Sequence, residues 1–286
     1  MIDETAGEIA EMQTHSSSVV AVKAANALTE LLDREFPSVG EYLRTLDQNS
    51  SALRRANPSH ASLHTTQHRI VDQVKGADPT SIDEAKAETQ SAIESVVSDV
   101  EMAKKEAADN AQSLLAESNT ILTHDYSTTV LTALEQATEA GEEFTVYVTE
   151  ARPRFLGRKM ARQLAAIDGV EPRLIVDSAG GQALSSCDHV LVGMSAIVDD
   201  TLYNRVGTYP LAATAADANV PMSVLGSSAK VTDGGFSFIN DYRSTTEVMR
   251  EPADEFTIEN PAYDATPVRL LESVVTDEGV RNVGEL

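Results

Sequence analysis

Residues 121–134 read ILTHDYSTTVLTAL: an apolar run, a histidine, an aspartate, and then a helical pattern that opens on Ser127 or Thr128. A strand that ends where a helix begins is the repeating joint of parallel α/β proteins, and such joints hold their chemistry at the carboxyl ends of the strands. Asp125 stands at that joint. The same texture continues downstream, with TVYV at 145–148, RLIV at 173–176, HVLVG at 189–193 and PMSVL at 221–225. These runs are β-branched and bounded by Gly, Pro or Asp, and helical stretches such as GRKMARQLAAIDG separate them. Right-handed βαβ crossovers follow, which predict a Rossmann-like three-layer α/β domain with a mainly parallel sheet over residues 119–286.

Upstream, over residues 1–118, the pattern is helical. VVAVKAANALTELL from Val19 carries apolar residues at helical spacing, and ASLHTTQHRIVDQV from Ala61 does so more weakly. Ser81 followed by Glu84 has the capping-box spacing, and Ile93, Val96, Val97 and Val100 form one apolar stripe behind it. An α/β chain with an amino-terminal helical domain is the resulting expectation.

The chain of 286 residues has a formal net charge of −23, with lysine scarcer than arginine. Such a surface repels nucleic-acid phosphate, so direct nucleic-acid binding is not expected. High ionic strength screens that self-repulsion, and the composition reads as that of a halophile, with an archaeal source. A lone cysteine, Cys187, rules out an internal disulfide and reads as a small buried hydrophobe. The start of the chain lacks a charged and then apolar leader, and nowhere do about 18 apolar residues stand together. A cytoplasmic protein with no membrane partner is expected.

Several motifs bear on chemistry. SAGGQAL lacks the GxGxxG spacing for pyrophosphate, so no dinucleotide cofactor is called, and no other cofactor. VGMSAI and SSAK match serine-nucleophile motifs only in fragments. His60, His64 and His68 share one helical stripe, but the first and third lie ~12 Å apart along an axis. That is too far for one ion, and no metal site is called. Arg152, Arg154, Arg158 and Arg162 are the one basic concentration, directly after TVYV. For Arg152 an anion pocket and a solvated partner for acidic side chains stand as alternatives. Asn204, Arg205, Gly207 and Thr208 precede a helix starting near Tyr209, and this turn can hold a phosphoryl group with amides, a hydroxyl and a cation.

Taken together, ILTHDYSTTVLTAL, FTVYVTEARPRFLGRKMARQL, HVLVGMSAIVDDTLYNRVGTYPLAATAADANVP and ENPAYDATP resemble the family of the initiation factor 2B alpha, beta and delta subunits. That family also holds archaeal ribose 1,5-bisphosphate isomerases and methylthioribose 1-phosphate isomerases. SSSVVAVKAANAL and NPSHASL carry the resemblance more faintly into the helical half. It implies an isomerase cysteine at the place of Asp125 and an isomerase aspartate at the place of Ser195. It further implies a phosphate-contacting arginine at the place of Asn57, and a lysine at that of Arg205. A serine hydroxyl does not take up a proton as a carboxylate does. The resulting expectation is an alpha-type, catalytically inactive binding and regulatory subunit, at least a homodimer, partnered with a translation initiation factor subunit and a phosphorylated small molecule. Asn204, Arg205, Gly207, Thr208, Arg152 and Lys230 are the expected ligand contacts, with Asp125 and Ser195 at the pocket floor. The alternative is an isomerase related to ribose 1,5-bisphosphate isomerase, with Asp125 as the lone carboxylate base and His124 or Lys230 as acid.

Overall fold

In a computed structural model, which describes residues 2–11, 17–232, 236–252 and 254–285, the chain divides into two units. One comprises Met1–Met102 with Ala229–Thr232, the other Ala103–Ser228 with Asp233–Leu286. The first is built from α1 (Ile2–Glu11), α2 (Ser17–Ala27), α3 (Val39–Ala56), α4 (Ala61–Gly76) and most of α5 (Ile82–Asn110). Its core gathers Val20, Leu28, Leu63, Ile70 and Ile93, from the segments whose spacing marked them as amphipathic, together with Leu46 from α3, which the sequence reading did not single out. At the start of α5 the Ser81 hydroxyl accepts from the Glu84 amide at 3.2 Å. Glu84 answers by accepting from the Thr80 amide and hydroxyl, both at 2.8 Å, so the predicted capping box closes one residue further out than its simplest form.

After the one-turn α6 (Gln112–Leu115), the second unit carries β1 (Thr120–His124), α7 (Thr128–Glu139), β2 (Phe144–Thr149), α8 (Leu156–Leu164), β3 (Val170–Ile175) and a short α9 (Gly180–Ala183). There follow β4 (His189–Gly193), β5 (Ala196–Val198), β6 (Thr201–Arg205), α10 (Thr208–Ala218) and β7 (Met222–Leu225). After β8 (Val231–Thr232), which groups with the first unit, come β9 (Tyr263–Pro267), β10 (Ser273–Thr276) and β11 (Gly279–Asn282). Seven strands form one sheet in the order β11-β10-β7-β4-β1-β2-β3. Every neighbouring pair is parallel except β10 with β11, which gives the mainly parallel sheet that the alternating pattern predicts. Ser127 caps α7 by accepting from the Val130 amide, so the helix starts where the sequence places it. Ile121, Val130, Leu134, Val146, Val148 and Met160 fill the core between sheet and helices.

Two features differ from the sequence expectation. The run read as a strand at 173–176 starts earlier, at Val170, and contains Pro172. β3 is the outermost strand, where a missing backbone donor is tolerated, and Leu174 and Val176 are 48% and 55% exposed. Their apolar character therefore marks no core. The other difference is a second, antiparallel sheet in which β6 pairs with both β5 and β9.

Cys187 is buried, and burial followed by the neighbouring Asp188 charge pushes its thiol up to about 11. It behaves as the packed hydrophobe expected. Across β4, β7 and β10 a buried polar chain runs from His189 Nε2 to the Ser223 hydroxyl at 2.9 Å and on to the Ser273 hydroxyl at 2.7 Å. Burial holds the His189 imidazole down at about 4. As pH falls through 6.5 the unfolded chain's imidazole takes up a proton that the folded one refuses until about 4, so its stability contribution is full above that window and lost across it. The expected loss is on the order of 3 kcal/mol by pH 4. His189→Gln is expected to flatten that part of the stability profile, measured by urea unfolding at stepped pH.

Candidate functional site

The carboxyl end of β1 is clamped by His124. Its Nε2 donates to the Val206 carbonyl at 2.9 Å, which fixes the tautomer, and its Nδ1 accepts from the Thr149 hydroxyl at 2.6 Å. Gly207 lies against the ring at φ 106°, and a Cβ there would come within 2.7 Å of His124 Cε1. With both nitrogens engaged, His124 pins the β6–α10 turn to β1 and is not a free acid.

Asp125, next in the chain, adopts a left-handed φ of 64°, a conformation that aspartate tolerates better than most residues. Its carboxylate sits 3.2 Å from Arg205 Nε, with side-chain exposures of 10% and 18% for the two partners. Arg205 also lies over the Tyr263 ring, 4.9 Å from its centroid. Burial alone would lower the Arg205 pKa, but Tyr263 and Asp125 outweigh it and hold the group above its ordinary value.

Facing this pair is the turn after β2. Asp177, just past β3, accepts from the amides of Ala151 and Arg152 at 2.7 and 2.8 Å, one per carboxylate oxygen. Arg154 pairs with Glu247 at 2.7 Å, and Glu247 also accepts from the Asn260 side chain. Arg158 instead bonds Glu150 and packs over Phe155, and Arg162 is exposed. The basic concentration thus splits: its first two members line a cavity and its last two do not. That cavity has a volume of about 30 Å³ and is lined by Asp125, Arg152, Arg154, Arg205, Arg243 and Glu247, among others.

The other singled-out residues are placed differently. Asn204 and Thr208 are buried and bonded to each other at 3.1 Å, and Thr208 donates to the Arg205 carbonyl. The amides of Gly207 and Tyr209 donate to the Asp264 carboxylate at 2.7 and 3.0 Å. The α10 start is therefore capped by the protein's own anion, and the turn acts by aiming Arg205. Ser195 is half-buried, its amide donates to the Tyr203 carbonyl, and it does not line the cavity. Lys230 groups with the first unit, as does Asn57, whose side-chain oxygen accepts from Ser59. Burial brings the Lys230 ammonium down to about 8. His60 precedes α4 and is not on it, so the three-histidine stripe does not form on one helix. Burial and then the Arg54 cation lower His64 to about 4. Among the described residues no group of three or more His, Cys, Asp or Glu side chains is placed to hold a metal. Nor is any described helix long and apolar enough to cross a membrane.

Asp177, Arg243, Glu247 and Asp264 escaped the sequence reading. Asp177 had a signal, an acid closing the RLIVD run at a strand end. The others depend on long-range contacts.

Comparison with known proteins gives a family match, two curated relatives and a structural neighbour. The sequence model of the Initiation factor 2 subunit family matches residues 13–283. The chain is 32% identical over 294 residues to ribose 1,5-bisphosphate isomerase of Haloterrigena turkmenica, covering 96% of this chain and 88% of the relative. It is 29% identical over 287 residues to the same-named protein of Haloferax volcanii, covering 97% and 88%. The translation initiation factor eIF-2B of Pyrococcus horikoshii OT3 shares the fold, with a TM-score of 0.81 at 24% identity over 98% of this chain and 96% of that one.

Proposed function

Because the chain belongs to the Initiation factor 2 subunit family, we propose that it is a sugar-phosphate isomerase acting on a pentose 1-phosphate of the ribose 1,5-bisphosphate type. The observation that carries this reading is a carboxylate, Asp125, at a strand end inside an arginine-lined cavity. Arg152 and Arg205 meet the anionic substrate and orient it. Asp125 takes the proton from C2 and returns it to C1; the C1 bond to the ring oxygen breaks, that oxygen becomes a hydroxyl by gaining the proton that the C2 hydroxyl loses, and so C2 is oxidised to the ketone while C1 is reduced. Relatives named as isomerases along nearly the whole chain support this over the inactive regulatory subunit expected from the sequence.

A second reading is favoured by one observation. The Asp125 carboxylate is already neutralised by Arg205, and in that state the pocket suits a binding subunit that performs no chemistry. A coupled carboxylase assay in high salt separates the two. Conversion of ribose 1,5-bisphosphate to ribulose 1,5-bisphosphate well above a buffer control is expected, and a rate equal to that control rejects the isomerase. An at least dimeric assembly is part of the same proposal, checked by sedimentation equilibrium in high salt.

A further inference from the structure

The cavity beside Asp125 is lined by four arginines but only two carboxylates, in a chain whose overall charge is −23. Three of the arginines come from segments that the sequence singles out. The fourth, Arg243, comes from the long connection between β8 and β9. Its side chain is 6% exposed, and its Nη2 pairs with Asp241 at 3.0 Å, a carboxylate that is itself 40% exposed. Its Nε and Nη1 are buried and meet no acceptor among the described residues. Native structures rarely leave two buried N–H-bearing atoms without acceptors, because each then carries an uncompensated desolvation cost. Arg152 adds a second unmatched charge: among the described residues its guanidinium has no carboxylate within 4.0 Å, and it lies 5.5 Å from the centroid of the Phe155 ring.

The cavity's size narrows what it takes. About 30 Å³ accommodates a group of a few heavy atoms, so one end of a ligand enters and the remainder lies outside. A phosphoryl group supplies acceptor oxygens on several sides and a double negative charge, which suits a lining that draws its arginines from separate segments.

We propose that Arg243 is a substrate-binding and specificity-determining residue, which with Arg152 and Arg205 selects a phosphomonoester dianion at this cavity over monoanionic phosphodiesters. This rests on the proposed function for its phosphorylated ligand, but not on turnover. Binding can therefore be tested whether or not the protein isomerises anything.

The probes are methyl phosphate, which is a dianion near pH 8, and dimethyl phosphate, which is a monoanion. Each is titrated into the full chain at fixed ionic strength by calorimetry and thermal shift. The wild type is expected to bind methyl phosphate at least ~10-fold more tightly than dimethyl phosphate. Arg243→Met is expected to lose most of that preference, and Arg243→Lys, which keeps the charge without the planar fork, to fall between. Arg158→Met, outside the cavity, is expected to behave as wild type. Equal binding of both probes by the wild type, or an unchanged preference in Arg243→Met, overturns the proposal. Should neither Arg243 variant fold, the wild type still decides. Methyl phosphate must shift a slowly exchanging arginine Nε–H resonance that dimethyl phosphate leaves in place, and no such shift overturns the assignment.

Discussion

Asp125→Asn is expected to lower turnover of ribose 1,5-bisphosphate by about 10²- to 10⁴-fold, the range over which a positioned acid–base group contributes. The substitution keeps the shape of the side chain and suits the left-handed backbone at φ 64°, because asparagine tolerates that region as aspartate does. What it removes is the basic oxygen. It also removes the negative charge that faces Arg205 at 3.2 Å, beside the position proposed for the anionic substrate. Loss of a base lowers kcat, whereas loss of a competing charge lowers KM or leaves it unchanged, so the two effects oppose each other in kcat/KM. The expected pattern is therefore a large fall in kcat with KM unchanged or lower, read from initial rates of the coupled assay. An unchanged kcat would remove Asp125 from the chemistry.

Gly157→Ala is expected to destabilise the second unit by about 3 kcal/mol or more, measured by urea or thermal unfolding. In an unobstructed helix this change is stabilising by roughly 0.5–1 kcal/mol, so the sign alone is diagnostic. A Cβ on Gly157 would lie 1.8 Å from the Thr149 carbonyl oxygen and 2.9 Å from its carbon. Both are backbone atoms at the end of β2 and cannot rotate away. Helix α8 must instead lift off the strand, and it begins immediately after the turn that carries Arg152 and Arg154. Anion binding is expected to weaken together with stability. Gly40→Ala in α3, where the added atom meets only the Arg44 tip at 4.0 Å, serves as the control and is expected to be neutral or mildly stabilising.

Local chemistry made much of the fold legible. The Ser81–Glu84 spacing, the Ser127 cap and the β-branched runs other than RLIV report interactions within a few residues, and these appear where the sequence places them. The antiparallel sheet was hidden because β6 pairs with a strand some sixty residues later, with Thr201 opposite Pro267. β6 alternates buried and half-buried residues as a strand does, but nothing in either segment names its partner at that separation. The site follows the same division. Asp125, Arg152 and Arg205 sit at recognisable strand ends, and the structure brings them to one cavity. The α10 amides looked available for phosphate because nothing near them in sequence announces Asp264 as their partner. Arg243 was equally silent, since its place in the cavity lining depends on contacts distant in the chain rather than on its sequence neighbours.

The two amide bonds donated to Asp177 carry a mechanical implication. Asp177 directly follows the sheet's rim strand, the first place where a parallel sheet frays, yet it dictates the course of the backbone at Arg152. Under the proposed anion-binding role, any event that loosens that rim is expected to relax the hold on an incoming anion even if no cavity residue is altered.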